Sequence, residues 1–378
     1  MTQHHKRPSD GGLALPVMTE SEWTRWAIGV LHGDANRSAD THLTKLSFKG
    51  MLGISVYLKD ESTHPTGSLK HRLARSLFLY GICNGWIHEG TTLVEASSGS
   101  TAVSEAYFAN LLNLPFIAVM GASTSKQKVD AIIRSGGQCH FVDDPSKIYR
   151  VAEQLAFDRK GHYLDQFTNA ERATDWRGNN NIAESIFKQL ALEQDPEPTW
   201  VVMNAGTGGT SATIGRYIRY SGFKTRLCVV DAEYSAFYQC YVNGDRMASC
   251  ALPSRIEGIG RPRVEPSFLP SVIDDMIKVP DAMSIAAMHV LSDRLSRRVG
   301  GSTGTNFYGV CRIAANMLAQ GQTGSIVSLI CDGGERYTST YYDPAWLDSA
   351  GISIHREMEM LNGFLDGGSF DLIGYPTS

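Results

Sequence analysis

From Ile54 onward one rhythm recurs along the chain: a short apolar run, a turn, an amphipathic stretch and a second apolar run. ISVYLKDE, SLKHRLARSLFLYGICNG, TTLVEASS, TAVSEAYFANLLN and PFIAVM follow one another in this way. Apolar runs too short for helices, joined by segments with helical spacing, read as strand-helix-strand units. Such connections build a parallel sheet covered by helices on both faces. The series continues through a helix near KQKVDAIIRSG, a strand near QCHFVD and a helix near PSKIYRVAEQLAFD, which completes one predicted α/β lobe. A second series begins near Asn180 with NIAESIFKQLAL, TWVVMNAG, TSATIGRYIRY and TRLCVVDAE. It goes on through helices around Ala286 and Tyr308 to the strand SIVSLICDG, and predicts a second lobe. Ser254 to Pro270 (SRIEGIGRPRVEPSFLP) is rich in glycine and proline, which interrupt helix and strand alike, and is expected to be a structured loop.

The bulk properties agree with two lobes and narrow the partners. At roughly 150 residues per domain, 378 residues correspond to two or three units. With 42% hydrophobic and 20% charged residues the chain has ample material for a core. Thirty-five basic against 39 acidic side chains give a net charge of −4, so neither nucleic acid nor an anionic membrane is an expected partner. No apolar stretch approaches the ~18 residues of a membrane helix, and MTQHHKRPSDGG lacks the apolar region of a secretory signal. A cytoplasmic protein acting on a small molecule is expected. The seven cysteines are odd in number and include no CxxC pair, which fits neither a disulfide framework nor a metal site.

Three segments at predicted strand ends carry chemistry. His64-Pro65-Thr66-Gly67-Ser68-Leu69-Lys70 places Lys70 at a helix start, where the dipole disfavours an ammonium and favours a reactive amine suited to Schiff-base formation. A solvated lysine is the alternative. Ser97-Ser98-Gly99-Ser100-Thr101 offers hydroxyl and backbone donors to an anion at the next helix start, although serine and threonine there also serve simply as caps. Gly206-Thr207-Gly208-Gly209-Thr210 allows close approach of backbone N–H groups to a phosphate, with a plain tight turn as the alternative. Ser211 stands where a dinucleotide fingerprint requires glycine, and no lysine follows as in a P-loop, which disfavours a nicotinamide dehydrogenase.

In this order the segments resemble those of the cysteine synthase and cystathionine β-synthase family of pyridoxal-phosphate (PLP) enzymes, over about Asp40 to Tyr342. DQFTNA (Asp165 to Ala170), EGIG (Glu257 to Gly260) and GERYTST (Gly334 to Thr340) resemble three further family motifs. The resemblance implies the tryptophan synthase β-like, fold type II architecture: two lobes of parallel or mixed sheet covered by helices, with the cofactor between them. It implies a larger cofactor-binding domain of 42–63 and 170–345, a smaller domain of 64–169, a leader of 1–41 and a tail of 346–378. It further implies that Lys70 is the Schiff-base residue, that Gly206, Thr207, Gly208, Gly209 and Thr210 hold the phosphate, and that a homodimer forms. Ser97, Ser98, Thr101, Gln166 and Gly258 are then expected to meet an amino-acid substrate, with Ser100 near the cofactor's 3′-oxygen in place of the family's asparagine.

Aligned on GERY, the family's serine at the pyridine nitrogen falls at Asp332, so a catalytic carboxylate is expected there; the bland alternative is a turn cap. With GGSTGTN (Gly300 to Asn306), this places the chain nearest the branch that includes the L-cysteine desulfhydrases. The expected reaction is α,β-elimination from L-cysteine to hydrogen sulfide, pyruvate and ammonia. The alternatives are β-replacement, as in a cysteine synthase, or a catalytically silent protein that binds a partner. Arg261 and Arg263 are expected either to read an acidic side chain or to form a solvated surface pair.

Overall fold

A computed structural model describes residues 18–370. Helix α1 (Glu20–Asn36) precedes strands β1 (Leu43–Leu46) and β2 (Ile54–Asp60). There follow α2 (Lys70–Cys83), β3 (Leu93–Ala96), α3 (Ser100–Leu111), β4 (Phe116–Gly121), α4 (Lys126–Arg134), β5 (Gln138–Val142), α5 (Ile148–Asp158), β6 (His162–Tyr163) and α6 (Gln166–Ala173). The chain continues through α7 (Ile182–Leu190), β7 (Trp200–Asn204), α8 (Gly209–Ser221), β8 (Arg226–Ala232), α9 (Phe237–Asn243) and β9 (Asp275–Val279). It ends with α10 (Asp281–Leu295), α11 (Gly301–Ala319), β10 (Gly324–Ile330), α12 (Pro344–Ser349) and α13 (His355–Leu365).

The strands form two sheets, of order β1-β2-β10-β7-β8-β9 and β5-β4-β3-β6. Every pairing is parallel except β1 with β2 at one edge. Period-2 alternation distributes the larger core over two faces. Val202, Val230 and Ile326 pack with α10 and α11, while Val201, Val229 and Val327 pack with α7 and α8. In the smaller lobe Leu93, Phe116 and Ala118 face α2 and α3, and Val94 and Val119 face α5. No described helix is long and apolar enough to cross a membrane.

β2 begins the strand-helix row of the first lobe but pairs with β10 in the six-stranded sheet, where the family resemblance puts residues 42–63. The expected leader contains α1, whose Trp23, Ala27 and Leu31 belong to the smaller core; residues 1–17 lie outside the described part. Thr19 and Glu22 form a capping box at its start, a signal legible in the sequence. The tail contains α12 and α13, and Leu361 and Phe364 are buried in the larger core. The loop expected at Ser254 to Pro270 lies between α9 and β9 and has no helix or strand before Pro270, where a short 3-10 turn (Pro270–Val272) begins.

Candidate active site

The carboxyl ends of β3, β7 and β10 open onto one cleft of about 490 Å³, as expected at the switch points of parallel sheets. Lys70, the first residue of α2, lines it. The approach to Lys70 is tied to the end of β10: the Leu69 amide donates to the Cys331 carbonyl at 2.8 Å, and Ser68 bridges Asp332. Arg336 donates to the Thr66 carbonyl at 2.8 Å and to Ser100 Oγ at 2.6 Å, joining the lysine and hydroxyl segments. Burial holds the Lys70 amine below its ordinary pKa, with Arg261 acting in the same direction and Cys331 and Asp332 opposing it. Desolvation thus acts on the amine in the same direction as the helix dipole expected from the sequence.

On the larger lobe, β7 runs through Gly206 and Thr207 into α8, whose first turn presents backbone donors. A Cβ at Gly206 would lie 3.6 Å from Lys70 Nζ, so the loop and the amine share one space. Thr207, Gly209 and Thr210 line a smaller cavity that also reaches Lys70. Gly208 lines neither cavity and has another role: its φ is +92°, and a Cβ would fall 2.5 Å from Phe268 Cα and 2.6 Å from the Ser267 carbonyl oxygen. A side chain at Gly208 therefore disrupts packing. The cleaner test is Thr210→Val, expected to weaken PLP affinity about tenfold, the loss of roughly one hydrogen bond to an anion, with thermal stability unchanged. Titration of the apo-protein and a melting curve measure the two quantities.

Across the cleft stand Ser97, Ser98, Ser100, Thr101 and Gln166, with Gly258 on the opposing loop. Thr101 Oγ1 donates to Gln166 Oε1 at 2.8 Å, which orients the glutamine amide beside the serines. Ser100 Oγ accepts from Arg336, leaving its own proton to donate. Lys128 of α4 and Glu257 form an ion pair of 3.0 Å between the lobes.

Asp332 lines the same cleft, and its Oδ2 accepts from Tyr337 at 2.6 Å. Oδ1 is sealed from solvent against Gly300, where a Cβ would fall 1.8 Å away, and has no donor among the described residues. Burial pushes the Asp332 carboxyl up to about 6, against the hydrogen bond from Tyr337. Ser302, in the first turn of α11 and within GGSTGTN, lines the cleft beside Cys331; it is not among the expected site residues, although a serine beside paired glycines at a helix start is a legible signal.

The two arginines also separate. Arg261 lies in the cleft wall, its guanidinium 4.1 Å over Phe167 and its Nε 3.0 Å from the buried Glu265. Arg263 is exposed but donates to the same carboxylate at 3.2 Å. They share a counter-ion and are not a free surface pair.

The pyridoxal-phosphate dependent enzyme family matches residues 37–332. L-cysteine desulfhydrase Cds1 of Mycobacterium tuberculosis (strain ATCC 25177 / H37Ra) is 59% identical over 347 residues, covering 90% of this chain and 94% of that protein. A putative pyridoxal-phosphate dependent protein of Caenorhabditis elegans is 32% identical, over 88% of this chain and 82% of its own. Among solved structures, O-ureido-L-serine synthase superposes with a TM-score of 0.71 at 25% identity, covering 82% of this chain and 96% of that one.

Proposed function

Because the chain belongs to the pyridoxal-phosphate dependent enzyme family, we propose that it is a carbon-sulfur lyase performing α,β-elimination on L-cysteine. The observation that carries this reading is the 59% identity to an L-cysteine desulfhydrase across nine-tenths of the chain. The net reaction is L-cysteine plus water to hydrogen sulfide, pyruvate and ammonia.

The residues present fit the cofactor. A desolvated lysine amine lies beside a glycine loop that leads into a helix N-terminus, as a carbon-bound and phosphate-bound group requires. When bound, PLP supplies the electron sink that makes the Cα–H bond of an amino acid acidic. Lys70 would be the covalent anchor, and its amine, once free, would take the Cα proton and return it to the departing sulfur. Gly206, Thr207, Gly209 and Thr210 would hold the phosphate, in a loop whose turn Gly208 shapes. Asp332 is assigned to the pyridine nitrogen, since it lines the cleft and its Oδ1 has no donor among the described residues, with Ser302 beside it in the same cleft.

The substrate carboxylate is assigned to Ser97, Ser98, Thr101 and Gln166, and Ser100 to the cofactor's 3′-oxygen. Gln166→Ala is expected to raise KM for every amino-acid substrate by about tenfold while kcat changes little, because a binding contact common to ground and transition states is lost. Steady-state kinetics on cysteine and O-acetylserine measure it. The domain division at 64 and 169, the homodimer and a cytoplasmic location are parts of the same proposal. Product analysis decides the reaction: cysteine alone should yield pyruvate and hydrogen sulfide in equal amounts. Turnover only with O-acetylserine plus sulfide would make the protein a synthase.

A further inference from the structure

Beneath the Ser97 to Thr101 turn lie two glutamates that the chemistry above does not use. Glu95 of β3 and Glu105 on the second turn of α3 are fully buried, and their side chains meet. Glu95 Oε1 accepts the Ala96 amide at 2.8 Å, and Oε2 accepts the amide of Gln166, the first residue of α6, at 3.1 Å. Neither oxygen of Glu105 has a donor when both groups are counted as carboxylates. The titratable groups facing the pair are Asp165 before α6, Tyr163 of β6 and, beyond it, Tyr149 of α5, which are all acids. Arg261 and Arg263 approach Tyr149 from the 254–270 loop, but both are bonded to Glu265.

Two carboxylates in contact without water or a cation do not both ionise, and one proton converts their repulsion into a hydrogen bond. Glu95 already accepts two amides, which leaves Glu105 as the natural holder of the proton. We propose that Glu95 and Glu105 share one proton and act as a positioning pair, holding Gln166 in place for the substrate carboxylate. The chain of contact is short: Glu105 to Glu95, Glu95 to the Gln166 amide, and Gln166 to Thr101. Loss of the proton adds a second negative charge directly beneath an anion site and breaks the hydrogen bond that braces Glu95. Burial raises the pKa of both groups, which favours retention of the proton.

The inference rests on the carboxylate docking proposed above, and its test separates the two. In the holoenzyme, infrared difference spectra at neutral pH should show a protonated-carboxyl stretch that is missing in Glu105→Gln. Its absence from the wild type would overturn the shared proton. Over the pH range in which that stretch is lost, the wild-type KM for cysteine should increase relative to that of Glu105→Gln, by up to roughly tenfold per unit. The kcat ratio should stay level. Taking the ratio of the two enzymes cancels the titrations of the substrate itself. Glu105→Leu, which supplies no donor, should show a raised KM already at neutral pH; equality with Glu105→Gln would reduce Glu105 to a packing residue. A KM ratio that stays flat while the stretch disappears, or a Glu105→Leu KM equal to that of Glu105→Gln, with Gln166→Ala still raising KM, would overturn the positioning role and leave the docking intact. No effect of Gln166→Ala would overturn both.

Discussion

Lys70→Ala is expected to abolish the visible absorbance of covalently held cofactor and to lower turnover by at least ~10³-fold. One side chain supplies both the anchor and the proton-transfer group. Nothing nearby replaces it. The other lysine lining the cleft, Lys128 on α4, is engaged with Glu257. PLP should still bind through Gly206 to Thr210, because that loop is positioned by β7 and α8 and not by the lysine. The expected variant is therefore folded, able to take up cofactor noncovalently, and inactive. Borohydride reduction of the wild-type holoenzyme followed by peptide mapping should fix the label on Lys70. A label on another lysine would refute the assignment.

The readable parts of this site are those encoded locally. Three strand-turn-helix junctions announce themselves because apolar runs end in glycine and hydroxyl residues. The structure puts Lys70, Ser97 to Thr101 and Gly206 to Thr210 at those junctions, on the starts of α2, α3 and α8. What the sequence withholds is direction and company. Asp332 occupies the expected place along the chain, yet a motif match carries no information on side-chain orientation; only the fold shows Oδ2 held by Tyr337 and Oδ1 without a donor. Gly208 looked like a ligand-contacting glycine, whereas its neighbours Ser267 and Phe268 are nearly sixty residues away and visible only in the fold. Glu95 and Glu105 are one strand end and one helical turn apart, and nothing in their spacing reveals that both are buried against each other. β2 had the right pattern for a parallel strand, but only the crossover geometry decides that it lies beside β10.

Arg72→Met is expected to cost about 3–5 kcal/mol of stability, the range for removing one partner from a buried charge cluster. Arg72 is two residues beyond Lys70 and fastens the start of α2 to the end of β2. Its Nε donates to Glu61 Oε2 at 2.6 Å, and Nη2 reaches Glu61 Oε1 at 3.0 Å and Asp40 Oδ1 at 2.7 Å. Glu61 is fully buried, so after the substitution its charge keeps only Thr41 and His64 as partners. Methionine preserves much of the aliphatic stem, which separates the loss of charge from the loss of packing. The pH dependence gives a second reading. Despite their burial, Arg72 holds the carboxyl groups of Glu61 and Asp40 below the usual carboxylate range, helped at Glu61 by His64 and at Asp40 by Ser185 and Lys59. A depressed folded-state pKa stabilises the native protein above the unfolded value of about 4, and that contribution is lost as the pH falls through the folded value. In the variant Glu61 has no guanidinium, its pKa rises, and protonation relieves the buried charge at a higher pH. The stability gap between wild type and Arg72→Met, from urea unfolding of the PLP-saturated proteins, should therefore be largest near neutrality and narrow towards about pH 4. A gap that stays constant over this range would mean that Arg72 holds the start of α2 by packing alone.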